Sequence, residues 1–544
     1  MPGNGERHSA TPSSAACGGP VWTIAACVLL AIALGTAWPL LLRAGATVQF
    51  DYDEGWNAFR AAEAAHLLPL YGAPPGLAIT NYPPLSFHLI GLLSRLHVDV
   101  VLAGRLLSLA GLAAVCLAIR RIVRIFIPAG HAADVAALLF FVWLEVLMPS
   151  RLAVDDPQLL GMAFETAGFL LVLADPRSRR GMAASALLFA VAVFIKHNLV
   201  ALPLAAGAGL LLARERRPLL WWVTAGALGA SALLALTEAI DGPYFLTHLL
   251  RGREYSLHDA ARQGLSYVLM FLPVFAITGV WAYRNRNSVR WRPLALGWLF
   301  AHGLGFFFLG GDGTGGNMLF EALTCDAIIL VLALDEHAAR HYARATLRAG
   351  AVLALPALFP LLFLPPKAEA ALSEWRNLPR TQRQFAAGVA LLRQASGPVV
   401  CENLLMCYRA GKASAFDPFF VHDQIGTGAI DPHVIADLAE SCRLAAVQLG
   451  DADVPEPPGR VRFTGGFERA LAARYRVALR TPEFSILVPV STACGKASPP
   501  RALGDRQHAS TAPPTTSSAA TARGTLAGAF PATTSSSVES SGAR

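Results

Sequence analysis

Residues 21–57 read VWTIAACVLLAIALGTAWPLLL, then RAGATVQF, then DYDEGWN. The first 22 of these residues carry no charge, and about 20 apolar residues suffice to cross the hydrocarbon core of a bilayer. The polar flank before them is long and lacks a clear small-residue cleavage signal, so we expect an uncleaved first span over 21–42, preceded by a loose segment at 1–20. The end of that run meets Asp51, Tyr52, Asp53, Glu54, Gly55, Trp56 and Asn57 within fifteen residues. A dense cluster of acids and aromatics directly after a span lies near the membrane surface.

The rest of the chain repeats the theme. Of 544 residues, 54% are hydrophobic and only 15% charged, against about 25% charged in a soluble domain, which excludes a single water-soluble globule. Further apolar runs lie at 101–119, 132–149, 157–174, 181–195, 198–213, 219–238, 264–283, 293–310, 318–335 and 347–365. The fold class is thus a polytopic α-helical membrane protein of about eleven spans, with twelve or thirteen left open because residues 84–97 form an ambiguous extra apolar segment.

The net charge of +8 is almost entirely Arg, since only Lys196, Lys367, Lys412 and Lys496 are Lys. Arg residues punctuating apolar spans set membrane orientation rather than nucleic-acid affinity, so no nucleic-acid partner is expected. If 84–97 does not cross, sixteen Arg residues on the short connectors 120–124, 177–180, 214–217, 284–292 and 340–348 fall on one side. That side is cytoplasmic by the positive-inside rule. The opposite side receives the 43–100 loop, the 150–156 turn, the 239–262 loop, the 311–317 turn and everything after residue 365.

Residues 366–492 change texture. The stretch 371–395 predicts one helix or a broken pair, 397–405, 443–449 and 484–489 predict short strands, and 432–441 and 465–474 predict helices. A small extracytoplasmic α/β domain is expected there, followed by a disordered Ser/Thr/Ala/Pro-rich tail over 493–544. No Cys-x-x-Cys or Cys/His cluster marks a zinc site. Cys27, Cys116 and Cys325 read as small packing residues, while Cys401, Cys407 and Cys442 permit one disulfide among themselves and leave one sulfur over.

Several groups carry chemistry on the side opposite the Arg-rich connectors. Paired carboxylates place a base beside an acceptor hydroxyl while a second acid organises water, a cation or the base itself, which makes Asp53 and Glu54 candidate catalytic residues with Asp51, Trp56 and Asn57 lining the site. Asp155 and Asp156 form a second acidic pair before Pro157, suited both to capping a helix and to lining a site. Lys196, with His197 beside it, stands alone among Arg and can hold a lipid phosphate by charge-assisted hydrogen bonds or snorkel to headgroups. Arg251 and Arg253 offer a second phosphate contact. Asp312 and Asn317 belong to a Gly-rich turn lacking the Lys-Ser/Thr ending of a phosphate-binding loop. The acidic pairs permit a divalent cation without demanding one, the His residues lack ligand spacing, and no other cofactor is implied. Asp134, Glu145, Glu165, Glu321 and Asp326 lie within apolar runs, where acids usually face a bundle interior. They keep a secondary transporter open as an alternative, and a noncatalytic envelope assembly protein is a third.

The order of a first span, Phe50-x-x-Asp53-Glu54-Gly55-Trp56-Asn57, then Asn81-Tyr82-Pro83-Pro84-Leu85, an Arg-led second span, an acidic second outer loop and a distal domain resembles integral-membrane glycosyltransferases of the GT-C superfamily. Within it, the chain resembles bacterial members of the protein-mannosyltransferase and aminoarabinose-transferase-like group over residues 20–365. The resemblance implies a multi-span enzyme of the bacterial inner membrane that takes a sugar from a polyprenyl-phosphate donor and gives it to a glycan, glycolipid or protein acceptor on the periplasmic face. It assigns Asp53 as the base, Glu54 as its neighbour, and Asp155 or Asp156 as the second-loop acid, and it adds Asn81 and Tyr82 to the site.

Overall fold

In lipid the backbone N–H and C=O groups of an apolar run can be satisfied only within their own helix, and the apolar runs are helical accordingly. The computed structural model describes residues 19–74, 76–341, 362, 364–450 and 462–494. The first run is α1 (Gly19–Thr36) and α2 (Trp38–Gly45), followed by α3 (Tyr52–Ala65), α4 (Leu85–Arg95), α5 (Val100–Phe126) and α6 (Ala132–Leu147). Next come α7 (Gln158–Ala174), α8 (Arg179–Ile195), α9 (Ala201–Leu212), α10 (Arg216–Asp241) and α11 (Phe245–Leu249). The series ends with α12 (Leu257–Met270), α13 (Leu272–Asn285), α14 (Arg292–Phe308) and α15 (Phe320–His341).

Among the described residues four stretches are long and apolar enough to cross a membrane unaided: Pro20–Gly45, Val100–Phe126, Arg216–Asp241 and Gly316–Ala338. The expected span at 264–283 is instead two helices, α12 and α13, meeting at 93°; counted together they would make a fifth. Pro273, in the first turn of α13, has no N–H to continue α12. The helices α6, α7, α8, α9 and α14 are 12 to 17 residues long, so length alone does not support the expected count of eleven. Residues 84–97 form the 11-residue α4, about 16 Å long at ~1.5 Å per residue and too short to cross. The expected span at 347–365, like residues 1–18 and 495–544 of the expected termini, lies almost wholly outside the described residues.

Three of the acids inside the apolar runs tie helices together. Glu165 and Glu321 accept the backbone N–H groups of Leu202 and Ala201 at the start of α9. Asp326 accepts from Tyr267, Thr278 and Trp298 and lies 3.2 Å from His302 Nε2, tying α12, α13 and α14 to α15.

The distal region begins with α16 (Leu364–Gln394), a single helix rather than a broken pair even with Pro379 inside it. Four strands follow: β1 (Val399–Cys401), β2 (Ala446–Gly450), β3 (Tyr475–Arg480) and β4 (Phe484–Pro489). They form one sheet in the order β1-β2-β4-β3, parallel between β1 and β2 and antiparallel elsewhere. The expected helices and the strands expected at 443–449 and 484–489 are present, the one expected over 397–405 is cut to Val399–Cys401 by a helix at Leu404–Ala410, and β3 is additional, since Tyr475–Arg480 carries two Arg and directly continues the helix Gly465–Arg474. Two disulfides, Cys401–Cys407 and Cys442–Cys494, replace the single one expected. Cys494 had been assigned to the tail, and the helix Ser491–Cys494 carries it back against β3, with Arg474 donating to the Ala493 carbonyl.

One buried ion pair joins the first loop to the helices. Arg105 on α5 and Glu54 on α3 both have fully buried side chains, with Nε–Oε1 at 2.7 Å and Nη2–Oε2 at 2.9 Å. Arg105 also donates to the carbonyls of Arg43, Ala46 and Val48. Glu54 in turn accepts the N–H groups of Phe50 and Asp155. A Cβ on Gly104 would collide with the Asp155 carboxyl, so a bare α-carbon there lets the second loop settle against α5. Breaking a buried pair by removing one partner costs about 3–5 kcal/mol. Arg105→Met should therefore lower the unfolding midpoint in detergent or prevent folding, and Arg105→Lys, which lacks the guanidinium fork, should recover only part of the loss.

Candidate functional site

The start of α3 is built as a helix N-terminus. Asp51 is the N-cap, its Oδ1 accepting from Asp53 N at 3.1 Å, and Asp53 and Glu54 occupy the first turn, where acids complement the helix dipole. Successive helical residues are rotated by about 100°. Glu54 consequently turns inward to Arg105, while Asp53 faces a cavity of about 350 Å³. Gly55 permits the turn to lie against the distal region, because a Cβ there would run into the backbone of Leu404 and Leu405.

Of the residues singled out from the sequence, Asp51, Asp53, Trp56, Asn81, Tyr82, His197, Arg251, Arg253 and Asp312 line this cavity. Glu54, Asn57, Asp155, Asp156, Lys196 and Asn317 form the layer behind it and do not line it. The Asn57 side chain donates to the Asp155 carbonyl. Asp156 accepts from Gln158 N at 2.8 Å, from Lys196 Nζ at 2.9 Å and from Asn317 Nδ2 at 3.0 Å. Lys196 is 2% exposed, so the expected direct contact between its ammonium and a phosphate gives way to an internal ion pair. Glu54, expected to work beside Asp53, is likewise committed to Arg105.

The two members of the second acidic pair are split electrostatically. Burial, then the nearby Glu54 carboxylate, pushes Asp155 well above the usual carboxylate range, whereas Asp156, although its burial opposes ionisation, is held below that range by Lys196. His197 is pushed down to about 4 by burial and by Lys196 and Arg253, so it is neutral near pH 7.

Tyr82 donates its hydroxyl to Asp53 Oδ2 at 3.2 Å. Asp51 is bonded to Arg151 at 2.6 Å, yet its pKa is raised to about 6 because burial and the Asp53 carboxylate outweigh the guanidinium. Arg251 donates to Gln424 Oε1 at 2.7 Å and lies 5.1 Å from the Phe420 ring centroid, and Arg253 lies 5.8 Å from that of Phe419. Neither is paired with a carboxylate among the described residues.

Sequence reasoning missed Arg151 and the distal wall of the cavity, made by Asp417, Phe419, Phe420, His422, Asp423, Gln424 and Arg462. Arg151 carried a modest signal, as the one basic residue of the short turn that also holds Asp155 and Asp156. The distal residues carried none. Tyr52 reaches them, donating to Asp417 Oδ1 at 2.8 Å under the guanidinium of Arg462, 4.4 Å from the Tyr52 ring centroid. Among the described residues no group of three or more His, Cys, Asp or Glu side chains is arranged to hold a metal ion.

No protein-family model and no curated sequence matches the chain. Among solved structures it is similar to ArnT from Cupriavidus metallidurans bound to undecaprenyl phosphate, with 14% identity and a TM-score of 0.53 over 87% of this chain and 99% of that one. The same protein in the apo state matches with 14% identity and a TM-score of 0.52 over the same shares. The chain therefore shares the overall fold of that polytopic α-helical protein. Within that fold the cavity lies where the first long loop, the loops near residues 151, 197, 251 and 312, and the distal region converge.

The raised pKa of Asp51 has a measurable sign. Its folded carboxyl binds the proton more tightly than the unfolded one, so its contribution to stability is full below about pH 4 and is lost as pH rises through about 6. Asp51→Asn should gain stability relative to the wild type between pH 4.5 and pH 8 in thermal unfolding. Arg151→Met should move the carboxyl titration seen by difference infrared spectroscopy above pH 6.

Proposed function

We propose that the protein transfers a sugar from a polyprenyl-phosphate-linked donor to an envelope acceptor at the extracytoplasmic face of the bacterial inner membrane. The observation that carries this reading is the sharing of one cavity by the Asp53 carboxylate and the guanidinium groups of Arg251 and Arg253, none of them bound in an ion pair among the described residues. Such a cavity brings a base and an anion-binding pair to the boundary between helices and loops. A fold neighbour, ArnT, has been solved with undecaprenyl phosphate bound, which fits a lipid-phosphate donor. In this reading residues 21–365 form the membrane domain with its outer loop at 43–100, and residues 366–492 form an extracytoplasmic domain. The two disulfides favour that side, because such bonds persist in oxidising compartments.

The reaction is a direct displacement. An acceptor hydroxyl or amine, glycan, glycolipid or protein in origin, attacks the anomeric carbon, and the bond from that carbon to the phosphate oxygen breaks with its electrons passing to the phosphate. Asp53 takes the acceptor proton, and Arg251 and Arg253 offset the charge that develops on the departing phosphate. One displacement with one base inverts the anomeric centre. Lys196, Asp155 and Asp156 act from behind the cavity and do not line it.

The test uses the full chain in proteoliposomes with polyprenyl-phosphate mannose and polyprenyl-phosphate aminoarabinose as donors, total envelope lipid as acceptor, and released polyprenyl phosphate as readout. Asp53→Asn should lower turnover by about 10²–10⁴-fold, the usual scale of general-base catalysis. Unchanged turnover would remove Asp53 from the centre of the reaction. Sidedness has its own check: Arg262→Cys should react with a membrane-impermeant maleimide from outside intact cells, and Arg286→Cys only after permeabilisation.

A further inference from the structure

We infer that Tyr82 is a positioning residue for Asp53, orienting the carboxylate through its hydroxyl while the buried Lys196–Asp156 pair fixes Tyr82 from behind. This role rests on the reading of Asp53 as the base and adds to it the device that aims that base.

The hydroxyl of Tyr82 reaches Asp53 Oδ2 at 3.2 Å, and no donor reaches Asp53 Oδ1 among the described residues. A carboxylate held at one oxygen has its rotation fixed and keeps the other oxygen for an incoming proton. Tyr82 is itself held by its neighbours on the side away from the cavity. Its ring packs edge-on against Trp56 with centroids 5.1 Å apart, and its carbonyl accepts the Tyr71 hydroxyl at 2.9 Å. Pro83 follows directly, which restricts the backbone of Tyr82 to extended conformations. Beneath the ring, Lys196 Nζ lies 4.0 Å from the centroid.

That ammonium does not line the cavity, and it sits against the ring of Tyr82, which does. It is 2% exposed, bonded to Asp156 at 2.9 Å, and Asp156 is steadied by Asn317 at 3.0 Å. The end of α8, the start of α7 and the approach to α15 thereby set the position of one cation under one ring. A cation on the face of a phenol attracts its electron density and in a dry site polarises the hydroxyl as a donor. Burial and the Asp53 carboxylate hold the Tyr82 phenol above its ordinary range, so the hydroxyl keeps its proton. Lys196, which looked like a phosphate ligand in the sequence, therefore acts on the reaction through the residue that orients the base.

The experiment measures turnover and donor KM for the full chain in the proteoliposome assay, with Asp53→Asn as reference. Tyr82→Phe keeps the ring and should lower kcat by about ten- to a hundredfold, the rate equivalent of one hydrogen bond to a charged acceptor. Donor KM should stay within about twofold, and the unfolding midpoint should be unchanged. Replacing Tyr82 by 3-fluorotyrosine and 3,5-difluorotyrosine, whose phenols are progressively more acidic, should shift kcat progressively, which packing alone would not do. Lys196→Met should lower kcat in the presence of Tyr82 and have little further effect in Tyr82→Phe. If Asp53→Asn is inactive while Tyr82→Phe turns over like the wild type, or loses only donor KM, the positioning role is overturned and the base assignment stands. If Asp53→Asn is active, or no donor turns over, the functional reading falls and this role falls with it.

Discussion

Everything at the cavity depends on the ion pair between Glu54 and Arg105. Taking two charges out of water is expensive, and the cost is met only where every remaining donor and acceptor finds a partner. Here that condition holds. Arg105 uses its guanidinium on Glu54 and on three backbone carbonyls from the end of α2 and the loop beyond it, and Glu54 accepts two backbone N–H groups besides the guanidinium. The pair fixes the first loop, α3, α5 and the Asp155 turn relative to one another. Because Asp53 and Glu54 are adjacent in a helical first turn, locking one inward leaves the other facing the cavity.

A second ion pair, Asp156 with Lys196, stands behind the opposite wall and divides the labour of the second acidic turn. Asp155 lies against the Glu54 carboxylate and is pushed toward its neutral form, while Asp156 faces an ammonium and stays charged. Environments that drive neighbouring acids apart in this way allow one turn to serve two purposes. Burial beside Glu54 works against a further negative charge on Asp155, and Asp156 anchors a cation under Tyr82. The first-loop acid at the cavity is thus framed by two buried pairs, neither of which lines it.

The membrane class, the position of most helices and the loop bearing Asp53 were legible because they follow from hydropathy and Arg placement, which are local properties. Residue identity also marked Asp53, Arg251 and Arg253 as cavity residues. What it hid was direction. Glu54 and Lys196 look as reactive as Asp53 in the sequence, and only the partners Arg105 and Asp156, 51 and 40 residues away, turn them inward. Equally hidden was the sharp bend at Phe271, since the apolar run continues through it and only the Pro at 273 hints at a break. The distal wall had no local mark because Asp417 and Phe419 gain meaning only from Tyr52, more than three hundred residues earlier.

That long-range contact bears on how the distal region folds. Its sheet buries one face on helices of its own region, with Phe416, Phe463 and Phe467 in the intervening core. The other face shares a core with the first loop, where Phe484, Ile486, Leu404 and Leu405 pack with Trp56, Phe59 and Phe87. The helix Leu404–Ala410 lies between that face and α3, so part of the apolar surface of the distal region is buried only when α3 is in place, and burial is the main favourable term. The same contact presses the Gly55 backbone against Leu404 and Leu405. Docking of the distal region and orientation of the α3 start thus share one contact, which places the second wall of the cavity beside its carboxylate.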